Sequence, residues 1–176
     1  MATGWNSSGP CDAVSDPAAL HAGIEVLGPL IGTWIGAGRG DYPTIDGFDY
    51  LEEVTFSHVG KPFLAYSQRT HSPAGHPMHA ETGYLRVPTP GRIEMMLAHP
   101  TGITEVDEGT VVTHDNGTVV IDVHSTTIAL SATAKDVFAM AREVRVTGDE
   151  LSYTVSMAAV GHPLQQHLSA TLHRLP

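Results

Sequence analysis

Apolar residues recur along this chain at two different spacings. From Leu20 to Leu30 they fall three or four residues apart, at Leu20, Ile24, Leu27 and Leu30, and this predicts one short helix with a single apolar stripe. Asp16 suits its N-cap and Pro17 its first helical position, while Gly28-Pro29 predicts its end. Beyond residue 30 the period becomes two. The run 48–59 alternates through Tyr50, Val54 and Phe56, and Gly60-Lys61-Pro62 turns the chain into 63–71. Further strands are predicted over 78–87, 92–99, 103–114, 118–128, 134–147, 150–160 and 165–174, after a first strand that opens at Gly32. The connections are short. Asn116-Gly117 before an alternating run is the strongest hairpin signal, and Gly148-Asp149 is a second two-residue turn.

Short hairpin loops imply antiparallel neighbours. About ten such strands in one small domain must hide their edges, and closure does so completely. The expected fold is therefore all-β: a closed antiparallel barrel of about ten strands, lipocalin- or fatty-acid-binding-like, with one short N-terminal helix. A barrel of more than about eight strands is too wide for its own side chains to fill, so an internal ligand cavity is expected.

Composition fits this picture. The 176 residues include Gly 18 and Pro 12, a turn-rich content. Residues 1–16 are polar and small, with little to bury, and read as a flexible leader to a single domain over 17–176. Lys+Arg number 9 against Asp+Glu 19, for a net charge of -10, which disfavours nucleic acid and anionic membrane as partners. Cys11 is the only cysteine, so an intrachain disulfide and a thiolate cluster are excluded. Neither a secretory signal nor an apolar run of membrane-spanning length is visible, and the expected location is cytoplasmic. Monomer and homodimer both stay open.

The first strand carries glycines at 36, 38 and 40. Their spacing does not match a dinucleotide fingerprint and no Gly-Lys-Ser/Thr is present, so they read as points where a barrel strand bends. Gly32-x-Trp34 at the strand's start resembles the signature of lipocalin-like barrels, in which the tryptophan plugs one end.

The longer string is more specific. Gly32-x-Trp34-x-Gly36-x-Gly38-x-Gly40-x-Tyr42-Pro43-Thr44-Ile45, Tyr50-Leu51-Glu52-Glu53, His58-Val59-Gly60-Lys61-Pro62-Phe63, 77–84 (PMHAETGY) and the ending with Met157 and 163–168 (PLQQHL) resemble the nitrobindin family over residues 27–174. The resemblance implies a ten-stranded barrel that binds haem b, one per chain, with His167 on the iron. It implies nitric oxide binding and isomerisation of peroxynitrite to nitrate on the ferric haem, in detoxification or sensing of reactive nitrogen species. By the same resemblance Met157, Met78 and His79 line the pocket, Thr44 and Ile45 lie at the haem edge, and Lys135 pairs with a propionate. His99 departs from the pattern, standing where another member of the family has glutamine.

The residues alone support part of this. With eleven histidines and no thiolate pair, imidazole is the strongest soft-metal ligand available. His71, His76 and His79 cluster around a loop without a recognised metal spacing, and no His-Glu-x-x-His or Gly-x-Ser-x-Gly motif occurs. Strand parity raises a difficulty for His167. Leu168, Ala170 and Leu172 share one face of the last strand and should point inward, which would turn His167 outward. A bulge near Gln165-Gln166, or a partly polar cavity wall, would resolve it. Glu52 and Glu53 should point to opposite faces, one hydrogen-bonded in the wall and one solvated. Met95-Met96 and the tyrosines 42, 66, 84 and 153 read as packing. The competing reading is a carrier of an apolar small molecule on the same barrel, without catalysis.

Overall fold

In a computed structural model of the chain, which describes residues 18–176, ten strands form one closed antiparallel barrel. They are β1 (Gly32–Tyr42), β2 (Ile45–Ser57), β3 (Leu64–His71), β4 (Pro77–Arg86), β5 (Arg92–His99), β6 (Ile103–Thr113), β7 (Val119–Leu130), β8 (Val137–Thr147), β9 (Glu150–Ala159) and β10 (Gln165–Arg174). Each pairs with its neighbour in sequence, and β1 closes the ring against β10. The period-two pattern thus gave the fold class. The strand expected over 134–147 begins only at Val137, leaving Lys135 in the preceding loop. No helix among the described residues is long and apolar enough to cross a membrane.

The helix before β1 departs from expectation. It is a 3-10 helix over Ala22–Leu30, capped by the His21 side chain, and it runs through Gly28-Pro29 rather than ending there. Ile24, Leu27 and Leu30 are three residues apart, the spacing that a 3-10 helix stacks on one face, and all three are fully buried. Asp16, Pro17 and the leader 1–16 lie outside the described residues.

This helix closes one end of the barrel. Trp34 is fully buried under it, and its indole N–H donates to the Leu30 carbonyl at 2.7 Å. The Arg174 guanidinium stacks over the indole at 4.1 Å and also donates to the Pro29 and Ile31 carbonyls. The apolar core fills this half, with Leu64, Leu85, Ile93, Ile121, Val123 and Leu172 nearly or wholly buried. The glycines of β1 answer to space as well as to bending. A Cβ at Gly38 would run into the Tyr50 ring, and one at Gly40 into the Phe48 ring. Both rings can therefore cross β1 beside its seam with β10.

The other half departs repeatedly from alternation. In β10, Gln166 pairs with Ser156 and Leu168 with Val155, so His167 is an extra, bulged residue. In β4, Met78 and His79 together oppose Thr70 of β3, and the Thr70 hydroxyl holds both the N–H and the carbonyl of His79. In β2, Asp46 and Gly47 oppose Asp41. These irregularities surround the open end.

Candidate functional site

A cavity of about 570 Å³ occupies the end of the barrel opposite the helix, within the ~300–1,000 Å³ range of cofactor and small-molecule sites. All seven residues that the sequence singled out for cofactor binding line it: Thr44, Ile45, Met78, His79, Lys135, Met157 and His167. Thr44 and Lys135 are exposed, on the β1–β2 turn and on the loop before β8. Ile45 and Met78 keep 44% and 43% of their surface accessible, large values for apolar side chains that face a cavity. Met140, Val155 and Leu168 continue the apolar wall inward.

The bulge settles the parity difficulty. Because His167 is the extra residue, both it and Leu168 reach the cavity, while Ala170 and Leu172 keep their inward phase below. Its Nδ1 lies 3.0 Å from the Asp41 carbonyl oxygen. A carbonyl only accepts, so Nδ1 carries the proton and Nε2 keeps its lone pair for the cavity. The ring is boxed edge-on by Tyr42, at 5.2 Å between centroids, and by Phe48 at 6.4 Å. Tyr42 is fixed in turn, since its hydroxyl accepts from the Ala159 N–H at 2.8 Å and donates to the Ala159 carbonyl at 3.1 Å.

The cavity floor is ionic, which the sequence reading missed. Arg142 of β8 is buried and donates to both oxygens of Glu81, each at 3.1 Å, and to Glu105. Asp107 lies 3.5 Å from its Nε. His99 bridges the two glutamates, with Nδ1 3.3 Å from Glu81 and Nε2 3.1 Å from Glu105. Burial alone would raise the Glu81 carboxyl, but Arg142, His99 and the Tyr66 hydroxyl outweigh it and hold it below the ordinary range. Burial pushes Asp107 up to about 7, assisted by the negative charge on Glu105. Burial also lowers the His79 imidazole, against the opposing pull of the Glu81 carboxylate.

A second chain of polar groups lies beside the first. Gln68 donates to Glu52 at 2.8 Å and the Tyr153 hydroxyl donates to it at 2.7 Å, with Tyr50 2.9 Å from Tyr153. Burial pushes Glu52 up to about 7. Glu53, on the opposite face, pairs with exposed Arg69. Glu52 and Glu53 therefore divide as their adjacency in a strand predicts. Tyr50, Tyr66 and Tyr153 do more than pack. Their signal in the sequence was available: Glu105 and Asp107 share the inward phase of Val111, and Arg142 that of Val146. His71 and His76 stay exposed, apart from His79.

These residues suit a flat, largely apolar cofactor with acidic edges. The chain offers one imidazole of fixed tautomer, an apolar slot and an exposed lysine at its mouth. A THAP4-like, heme-binding beta-barrel domain model matches residues 23–174. "Peroxynitrite isomerase 1" of Mycolicibacterium paratuberculosis is 59% identical over 159 residues, covering 90% of this chain and 98% of that protein. "Peroxynitrite isomerase" of Nocardia farcinica is 55% identical over 166 residues, covering 92% and 98%. The crystal structure of Rv2717c from M. tuberculosis superposes with a TM-score of 0.87 at 51% identity, over 90% of this chain and all of that one. By sequence and by fold, the chain belongs to the family of THAP4-like, haem-binding β-barrel domains, the nitrobindins.

Proposed function

We propose that this protein holds one haem b through His167 and isomerises peroxynitrite to nitrate on it, and that the same site binds nitric oxide. The observation that carries the reading is the bulged His167, whose Nδ1–H is committed to the Asp41 carbonyl at 3.0 Å. That arrangement leaves one ring nitrogen with its lone pair free in a cavity with mostly apolar walls, as a residue that would hold the haem iron requires. The names and coverage of the curated relatives support the reaction.

When bound, haem supplies a ferric ion that acts as a Lewis acid towards a small anion. The chain supplies position and dryness. Tyr42 and Phe48 hold the His167 ring on two edges, so the ligand nitrogen does not wander. Ile45, Met78 and Met157 offer apolar contact to a porphyrin and exclude water, and burying their free surface stabilises the complex by about 25 cal/mol per Å². Lys135, exposed at the mouth, would pair with a propionate. His79 offers a ring N–H to a bound anion. The conversion breaks one O–O bond and forms one N–O bond without net change in protons or electrons. It therefore calls for orientation rather than for a redox partner. That chemistry serves detoxification or sensing of reactive nitrogen species, for which the cytoplasm is the location expected from the sequence.

The test is stopped-flow decay of peroxynitrite with nitrate yield, on haem-loaded protein, with and without cyanide. Accelerated decay to nitrate that cyanide blocks is expected. Equal rates in cyanide, or in haem-free protein, would leave a carrier of apolar small molecules.

A further inference from the structure

The cavity floor contains a second set of metal-ligand atoms, on β4 and β5. His79 Nε2 lies 3.2 Å from His99 Nδ1, and His99 Nδ1 lies 3.3 Å from Glu81 Oε2. The ligand atoms of all three residues fall within 4.8 Å of one another. A tetrahedral ion with bonds of about 2.0–2.1 Å holds neighbouring ligand atoms about 3.3–3.4 Å apart. Both measured separations lie close to that edge length.

Proton placement points the same way. His99 Nε2 lies 3.1 Å from Glu105 Oε1, which can only accept, so Nε2 carries a proton. In a neutral ring Nδ1 then keeps the lone pair, open to the His79 ring nitrogen 3.2 Å away or to a cation between them. A histidine that donates its far N–H to a carboxylate is also the usual outer arrangement of a metal-bound imidazole.

The charge count agrees. Glu81, Glu105 and Asp107 are three buried carboxylates around one guanidinium, Arg142. Among the described residues Glu105 Oε2 and both Asp107 oxygens have no hydrogen-bond partner. Excess negative charge in a buried cluster is expensive, and a bound cation offsets it. Arg142 donates to both Glu81 oxygens and Tyr66 to Oε1, and ligating carboxylates are commonly held by such outer donors. Glu52 stands further along the floor, occupied by Gln68 and Tyr153.

We propose that His79, His99 and Glu81 form a second metal site, for one divalent first-row ion of the zinc or ferrous type, with Glu105 as its outer positioning partner. Two imidazoles and one carboxylate suit such ions and leave coordination open towards the cavity. The site shares the cavity and His79 with the haem reading but leaves His167 free.

The test is metal retention. Haem-loaded protein is stripped with chelator, given stoichiometric Zn²⁺, desalted and counted for zinc. The wild type should retain one zinc per chain more than His99→Gln does. Glu105→Gln should bind zinc about 10–100-fold more weakly, the usual effect of losing an outer partner. An unchanged Soret band in both variants certifies the barrel. Zinc-edge absorption fine structure on the wild type alone should show two imidazoles. Zinc held equally by His99→Gln would place it on surface histidines and overturn the proposal. Failure of the wild type to retain zinc would mean that protons neutralise the cluster, and would overturn it equally.

Discussion

Replacing Glu52 by glutamine should make the protein more stable at neutral pH and leave it nearly unchanged in acid. Glu52 is 3% exposed, and its carboxyl is pushed up to about 7 from 4.5, chiefly by burial. The folded state therefore holds this proton more tightly than the unfolded chain. Below about pH 4.5 both states are protonated. Between about 4.5 and 7 only the unfolded chain releases the proton, so stability falls as pH rises through that window. The separation of about 2.5 pH units corresponds to about 3 kcal/mol. Glutamine has the same shape and cannot ionise. Its NH₂ can donate to Tyr153, Tyr153 to Tyr50, and Tyr50 to the Ser169 carbonyl 3.3 Å away, so the hydrogen-bond chain reverses rather than breaks. Urea denaturation of both proteins at 25 °C, at pH 4.5 and at pH 8, measures the difference. The variant should gain about 3 kcal/mol relative to wild type between the two, or roughly 6–12 °C in melting temperature. A difference that does not change with pH would refute the reasoning. So would a variant that loses stability relative to wild type as pH rises, since the first result means that the carboxyl titrates alike in both states and the second that the native site favours the carboxylate.

Tyr42→Phe removes the partner of the buried Ala159 N–H and should lower stability by about 1–3 kcal/mol, while loosening the His167 ring; calorimetry and the width of the Soret band report the two effects. Trp34→Phe loses the bond to the Leu30 carbonyl and part of the stacking under Arg174, for about 1–2 kcal/mol in denaturant titration, with haem affinity unchanged because the residue lies at the far end of the barrel. His79→Ala should retain haem, and if its N–H meets the bound anion the isomerisation rate should fall on the ~10²-fold scale of a lost electrostatic donor; an unchanged rate assigns the residue to the floor alone.

The barrel was legible because strands such as β3, β5 and β6 alternate and its turns carry Asn116-Gly117 and Gly148-Asp149. The site was legible mainly through resemblance, and the reason is physical. His167, Met78 and His79 reach the cavity by bulges, and a bulge shifts parity without leaving a residue signature. Counting by twos therefore turned His167 outward. The ionic floor was hidden differently. Glu81, Glu105 and Arg142 come from β4, β6 and β8, and only closure of the barrel brings them together. The helix was expected from Pro17 to Gly28 but runs over Ala22–Leu30, with residues 18–21 outside it and a different pitch. Leu20 suggested steps of three and four, whereas Ile24, Leu27 and Leu30 alone carry the period of three.

The central claim is that His167 Nε2, presented by its bulge and oriented by Asp41, holds the iron. Haemin titration of His167→Gly, with and without free imidazole, tests it most directly. The slot should remain, so haemin should bind weakly with an altered Soret band, and imidazole should restore the wild-type band together with nitrate formation. A wild-type spectrum and rate in His167→Gly without imidazole would contradict the claim and move the iron ligand to another residue.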